Sequence, residues 1–212
     1  MEFMSAVRRE GNVEKAEELR LRLYAQDDSE PEATIRRIRT DTSLARLYVE
    51  TKEDTKRVNE LLQGAEKKLG LLGDTQGLYS LILGSEIDGI WYLHNPRNLG
   101  KGISSSRKIN KAFKEFPQEV PSRLLKANSM LYAPSFAGGD VKGALNMFLG
   151  LLNDADALLS LSDRSSLYSG IGIACFMLED YQNAKGYLAA AKAIYPFDAV
   201  LDDYIAQVEK AL

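Results

Sequence analysis

The stretch from Tyr168 to Pro196 constrains the fold of this chain most, because its small and large residues recur at the spacing of two antiparallel helices. One side of the first predicted helix carries Tyr168, Ile171, Gly172 and Cys175. A turn at Glu179-Asp180-Tyr181 follows, and Ala184, Leu188 and Ala191 then recur on a second helix, which Pro196 ends. Gly172 and Ala184 are small where the two helices would approach most closely, so the segment predicts a tightly packed helical hairpin.

The turn of this hairpin recurs twice elsewhere in the chain. Gly139-Asp140-Val141 followed by Ala144 matches Glu179-Asp180-Tyr181 followed by Ala184. Gly11-Asn12-Val13 followed by Ala16 is a third copy. Two segments between the copies have the composition of insertions, 134–138 and 155–163. The chain is therefore predicted to consist of internal helical repeats.

The hairpin and its recurring turn resemble the tetratricopeptide repeat (TPR) family, in a degenerate bacterial form. The resemblance implies an all-α fold of antiparallel helical hairpins, stacked as a right-handed solenoid with a C-terminal capping helix. It predicts one repeat domain over residues 1–212. Its parts are the clearest repeat at 165–196, an insertion-bearing repeat at 123–160, degenerate repeats within 11–133 and the cap at 198–212.

Helical periodicity predicts the remaining elements. Ser29-Glu30-Pro31-Glu32 has the pattern of a capping box, and Asp74 is an expected N-cap. Further predicted helices run from about Asp74 to His94, from about Ile103 to Phe116 and from Arg123 to Tyr132, and Asp163 is the expected cap of the clearest repeat.

Composition excludes several classes of function. A 45% apolar and 27% charged chain is not expected to be disordered, and a net charge of −3 favours neither nucleic acid nor a membrane surface. No apolar run is long enough to predict a membrane span. One cysteine and one histidine leave no intramolecular disulfide and no Cys/His zinc site, and we expect no metal or cofactor.

The start of the chain bears on its compartment. Met1-Glu2-Phe3 ahead of Met4 has the appearance of a vector remnant. As it stands, the sequence predicts a cytoplasmic protein. Removal of an N-terminal targeting segment would make it extracytoplasmic.

The sequence does not predict an enzyme. Cys175 falls in the predicted core of the clearest repeat, which favours an inert buried thiol over a nucleophile. The enzymatic alternative depends on His94 together with nearby acidic residues.

A basic segment is the first candidate binding surface. Between Asp88 and Glu115 there is no acidic residue. The cations of this segment are Arg97, Lys101, Arg107, Lys108, Lys111 and Lys114. Arg107, Lys111 and Lys114 share one helical face, which predicts a site for a carboxylate, a phosphate or an acidic peptide. The alternative is a solvated face without a partner.

Aromatic residues at helix ends are the second candidate. Trp91 and Tyr92 precede one loop, and Tyr132 and Phe136 flank another, so the four would frame a pocket if the loops share an edge. The alternative is that they belong to the core. By the resemblance, the groove of the clearest repeat is also lined by Ser166, Ser169, Ile173, Phe176 and Met177. These small or apolar residues favour an apolar helix, or the chain's own cap, over a terminal carboxylate.

The leading hypothesis is a non-enzymatic scaffold that binds a partner protein or peptide, acidic if the basic face takes part, on its concave surface. The alternative is an extracytoplasmic small-ligand-binding accessory protein of a substrate-binding transport system. It depends on a similarity between residues 132–140 and bacterial TPR proteins with a tyrosine–proline–glycine-glycine-aspartate turn. Self-association into a homo-oligomer is compatible with both hypotheses.

Overall fold

The computed structural model describes residues 2–26, 30–73, 77–135, 138–155 and 159–212. Within these ranges it contains eleven α-helices and no β-strand, so the predicted all-α class is confirmed. None of these helices is long and apolar enough to cross a membrane. The chain divides into two compact units, Met1–Glu115 and Phe116–Leu212.

The first unit is built from helical hairpins. Its helices are α1 (Glu2–Arg8), α2 (Val13–Tyr24), α3 (Pro31–Thr51), α4 (Thr55–Leu71), α5 (Leu78–His94) and α6 (Leu99–Glu115). Helices that follow one another pack as the pairs α1/α2, α3/α4 and α5/α6. Helix α3 also packs against α1 and α5, so the first helices of the three pairs are neighbours.

The second unit repeats this arrangement. Its helices are α7 (Val120–Tyr132), α8 (Val141–Ala155), α9 (Leu161–Met177), α10 (Tyr181–Ile194) and α11 (Ala199–Ala211). The pairs are α7/α8 and α9/α10, and α11 packs on both helices of the second pair. The insertion-bearing repeat, the clearest repeat and the cap all lie in this unit. The predicted degenerate repeats extend across the division, and their arrangement as one solenoid stays a prediction.

The three recurring turns adopt the same capping geometry. Asn12, Asp140 and Asp180 each precede a helix, and each side chain accepts a hydrogen bond from the backbone N–H three residues later, at 2.9, 2.9 and 3.3 Å. Four residues after each cap lies an alanine, and all three alanines are fully buried, namely Ala16, Ala144 and Ala184. The internal repeat seen in the sequence is therefore a repeat of helix starts and of close-packing positions.

The predicted close approach within the clearest repeat is present. A Cβ atom added to Gly172 would lie 2.7 Å from Cγ of Leu188 and 3.0 Å from its backbone nitrogen. One at Gly170 would lie 2.4 Å from Cζ of Phe148, which is fully buried. These two glycines are therefore explained by helix packing.

Several helix boundaries differ from prediction. Helix α6 begins at Leu99 and not Ile103, and α7 begins at Val120 and not Arg123 because Pro121 is compatible with a first turn. The cap of α9 is Ser160, whose hydroxyl accepts from the N–H of Asp163, so Asp163 is not the cap. Ser29 and Asp74 lie outside the described residues.

A buried ion cluster, not predicted from the sequence, joins α2, α3 and α4. Asp41 is fully buried and accepts hydrogen bonds from Arg20 at 2.7 Å, Lys68 at 2.9 Å and the Tyr24 hydroxyl at 2.6 Å. The Arg20 guanidinium carbon also lies 4.4 Å from the centre of the Tyr24 ring. One carboxylate thus fixes three helices against each other.

Candidate interaction surface

Helix α6 has two chemically different faces. The residues that face α5 include Lys101, Ser104 and Lys108, together with the buried Ala112. The opposite face carries Leu99, Ile103, Arg107 and Lys114, which are exposed. This second set, here called the outer stripe, falls on one side of the helix because its members are spaced by four, four and seven residues.

The inward cations are neutralised by a buried carboxylate. Asp88 of α5 is 3% exposed and accepts hydrogen bonds from Lys101 at 2.8 Å, from the Ser104 hydroxyl at 2.7 Å and from Lys108. Burial by itself raises the pKa of Asp88, but these hydrogen bonds outweigh burial and leave the pKa below its usual value. Lys101 also donates to Glu66 of α4 at 2.6 Å. These two lysines therefore hold helices together and are not free for a partner.

The outward cations are available. Arg97, Arg107 and Lys114 are exposed, and none of them has an ion-pair partner within the described part of the chain. Lys111 lies 3.8 Å from Glu115 and is thus partly neutralised. The six predicted cations are not brought together on one face. They separate into an inward pair, an outward group and the weakly paired Lys111.

Exposed apolar residues continue the outward group along the helix. Leu99 is 62% exposed and Ile103 is 53% exposed. Arg107 follows Ile103 by four residues, so its positive charge lies beside the apolar pair. Apolar side chains next to unpaired cations can bury area against a partner and orient an acidic one.

The structure describes three of the four aromatic residues that were predicted to frame a pocket. Trp91 donates from Nε1 to Glu66 at 3.0 Å and lies 6.3 Å from the His94 ring, while Tyr92 packs over Gly102. Trp91 and Tyr92 belong to the first unit and the exposed Tyr132 to the second. Phe136 lies outside the described residues. A pocket framed by all four stays a prediction.

Two of the predicted groove residues are covered by the chain itself. Ile173 is buried in the same core cluster as Leu201 and Val208 of α11. The Phe176 ring contacts the ring of Tyr204, also of α11, edge-on with centres 5.5 Å apart. Ser166 and Ser169 are half-buried and Met177 is exposed.

The two residues considered for chemistry lie in different surroundings. Cys175 is 4% exposed, and both burial and the charge of Asp180 raise the pKa of its thiol, which disfavours the thiolate. His94 lines a surface cleft of about 440 Å³ together with Tyr48, Lys52 and Glu53. Among the described residues, no group of three or more His, Cys, Asp or Glu side chains is arranged to hold a metal ion.

Comparison of the chain with protein-family models, with curated proteins and with solved structures finds no match.

The pairing of Lys101 and Lys108 with Asp88, which separates the inward from the outward cations, was not predicted from the sequence. The sequence signal for this pairing was Asp88 itself, which lies between the apolar residues Ile87 and Ile90, because a buried carboxylate needs a counter-charge. Leu99 and Ile103 were not predicted as surface residues of a binding face. Because the helix was predicted to begin at about Ile103, Leu99 was placed in a loop and not on the same helical face as Ile103 and Arg107.

The Asp88 pairing predicts a pH-dependent stability difference. Replacing Asp88 with asparagine should lower the free energy of unfolding by about 2 kcal/mol at pH 7, because Lys101 and Lys108, whose side chains are 31% and 33% exposed, lose their buried charge partner. The folded-state pKa of Asp88 lies below the usual 3.8. The stabilising contribution of the ionised Asp88 is therefore fully present above pH 3.8 and is lost as the pH falls through the lower folded-state pKa. Urea unfolding followed by Trp91 fluorescence from pH 7 to pH 3 measures this. If the difference in free energy of unfolding between wild type and Asp88→Asn stayed constant from pH 7 to pH 3, the prediction would be wrong.

Proposed function

We propose that the chain is a non-enzymatic interaction module that binds an acidic, amphipathic segment of a partner protein on the outer stripe of α6. The observation that carries the proposal is the exposed pair Leu99 and Ile103 beside the unpaired Arg107 and Lys114. An amphipathic helix with an acidic flank matches both parts of this surface. Its apolar side would bury the leucine and isoleucine, and its carboxylates would pair with the cations.

The two faces of α6 support the proposal further. Lys101 and Lys108, the lysines on the face of α6 that packs against α5, both pair with the carboxylate of Asp88. Arg107 and Lys114 make no such contact within the described residues, and helix packing does not account for their charge. The surface is also better suited to a partner than the predicted concave groove, because Ile173 is buried in the core of the second unit and Phe176 contacts Tyr204 of α11.

The proposal predicts a charge-dependent interaction. Reversing both charges, Arg107→Glu with Lys114→Glu, should weaken binding of an acidic amphipathic peptide about tenfold, since two exposed ion pairs together contribute about 1.4 kcal/mol. The probe is a labelled helical peptide with leucine on one side and glutamate on the other, measured by fluorescence anisotropy at low salt. A second peptide, with every glutamate replaced by lysine, should bind much more weakly to the wild-type chain.

The matched control changes the net charge equally at another surface. Lys185→Glu with Lys210→Glu reverses two exposed lysines of the second unit and should leave binding unchanged. Equal binding of the two peptides, or equal losses in the two double variants, would overturn the proposal. The natural partner should then be retained from a lysate by the wild type and by the control variant, and be lost with the Arg107/Lys114 variant.

A further inference from the structure

The second unit contains a surface cleft that the proposed function does not use. Its volume is about 430 Å³, within the range of roughly 300–1,000 Å³ typical of ligand sites. Helices α8, α9 and α10 line it. The lining residues are Leu152, Tyr168, Gln182, Asn183, Gly186, Tyr187 and Ala190. No charged side chain is among them, so the cleft offers no counter-charge to a charged ligand.

Two tyrosines form the aromatic part of the cleft. The rings of Tyr168 and Tyr187 are 6.1 Å apart and inclined by 49° to each other. Both side chains are half-buried, and neither hydroxyl has a hydrogen-bond partner within the described part of the chain. Neither hydroxyl is among the buried polar atoms without a partner, so both are open to solvent and can hydrogen-bond to a bound molecule. The cleft therefore presents two apolar rings together with two available hydroxyl groups.

Gly186 is the third feature, and packing does not explain it. It lies in the interior of α10, where glycine is a poorer helix former than alanine. A Cβ atom added there would meet no heavy atom within 4 Å, whereas one at Gly172 would meet Leu188 at 2.7 Å. The chain thus keeps a destabilising glycine at a position where its own fold leaves open space. A close approach by a bound molecule would account for it.

We infer that this cleft binds an extended, uncharged segment of a partner protein that contains proline. Such a segment adopts the polyproline II conformation, whose backbone carbonyls have no internal partners and can accept from tyrosine hydroxyls. Proline rings are rigid and apolar, and they pack against aromatic faces such as those of Tyr168 and Tyr187. The missing side chain at Gly186 leaves room for the backbone of the segment to approach α10.

The test separates binding from stability at one residue. Replacing Gly186 with leucine should raise Tm by about 2–4 °C, because a good helix former replaces glycine in open space. The same variant should bind an acetylated, amidated and labelled decaproline peptide at least about tenfold more weakly than the wild type, because the leucine side chain fills the cleft. Ala189→Leu, at an exposed position of the same helix outside the cleft, is the matched control and should not change binding.

Tyr187→Phe keeps the ring and removes the hydroxyl, so it should weaken binding about fivefold without lowering Tm. The inference is overturned if the decaproline peptide binds the wild type no better than a glycine–serine peptide of equal length, or if Gly186→Leu and Ala189→Leu bind it equally. Binding of an uncharged oligosaccharide in place of the peptide would likewise overturn it. Both peptides lack charged side chains, so the result is independent of the outer stripe of α6.

Discussion

Replacing Asp41 with alanine is expected to lower the free energy of unfolding of the first unit by about 3 kcal/mol. The carboxylate is fully buried and accepts from Arg20, Lys68 and the Tyr24 hydroxyl, so its removal leaves two cations and one hydroxyl without their shared acceptor. The value is at the low end of the range for a broken buried pair. The side chains of Arg20 and Lys68 are still 14% and 21% exposed, and water can partly replace the lost contacts.

The measurement is urea unfolding followed by the fluorescence of Trp91, the one tryptophan of the chain, which lies in the first unit. Asp41→Asn should lose less, because an amide oxygen still accepts one hydrogen bond in the same space. The exposed Glu53, between α3 and α4 of the same unit, provides the control, and Glu53→Ala should stay within about 0.5 kcal/mol of the wild type. A similarly small change for Asp41→Ala would contradict the assignment of this carboxylate to the core of the unit.

The features predicted correctly from the sequence are those set by local spacing. The turns at Asn12, Asp140 and Asp180 were identified because each is followed four residues later by an alanine, which is a short-range pattern. The capping role of the three polar residues is seen only in the structure. Gly172 was recognised because a small residue among large ones indicates a close helix contact. The turn pattern and the small residue each depend on a single hairpin, and a single hairpin is enough to predict the all-α class. The arrangement of the hairpins as one solenoid depends on contacts between hairpins, so it stays a prediction.

The candidate site depended on partners distant in sequence, which a spacing pattern does not supply. Lys101, Lys108 and Lys111 look alike in the sequence, yet two of them pair with Asp88 of the preceding helix and the third lies near Glu115. Phe176 was expected to meet an apolar helix or the chain's own cap, but only the packing of α11 on α9 identifies Tyr204 as the residue it contacts. The Tyr168–Tyr187 cleft was missed for the same reason. Each tyrosine alone fits a core position, and the open space at Gly186 cannot be seen in a sequence.

Gly172 and Gly186, both in the second unit, are expected to respond in opposite ways when a side chain is added. Gly172→Val is expected to lower the free energy of unfolding by about 3 kcal/mol, the upper end of the cost of overpacking a core. The added Cβ would lie 2.7 Å from Leu188 Cγ and 3.0 Å from the Leu188 backbone nitrogen. A side chain can rotate away, but the backbone nitrogen can move only if α10 itself shifts relative to α9.

Chemical denaturation followed by far-UV circular dichroism measures this loss, because the second unit contains no tryptophan. Gly186→Leu provides the opposite control. It also adds a side chain to a glycine of the α9/α10 hairpin, but its Cβ would meet no heavy atom within 4 Å. One substitution should therefore destabilise the unit and the other stabilise it, although both replace glycine with a better helix former. If Gly172→Val proved as stable as the wild type, the close contact between α9 and α10 could not be what requires glycine at that position, and the hairpin assignment on which the repeat interpretation depends would lose its main support.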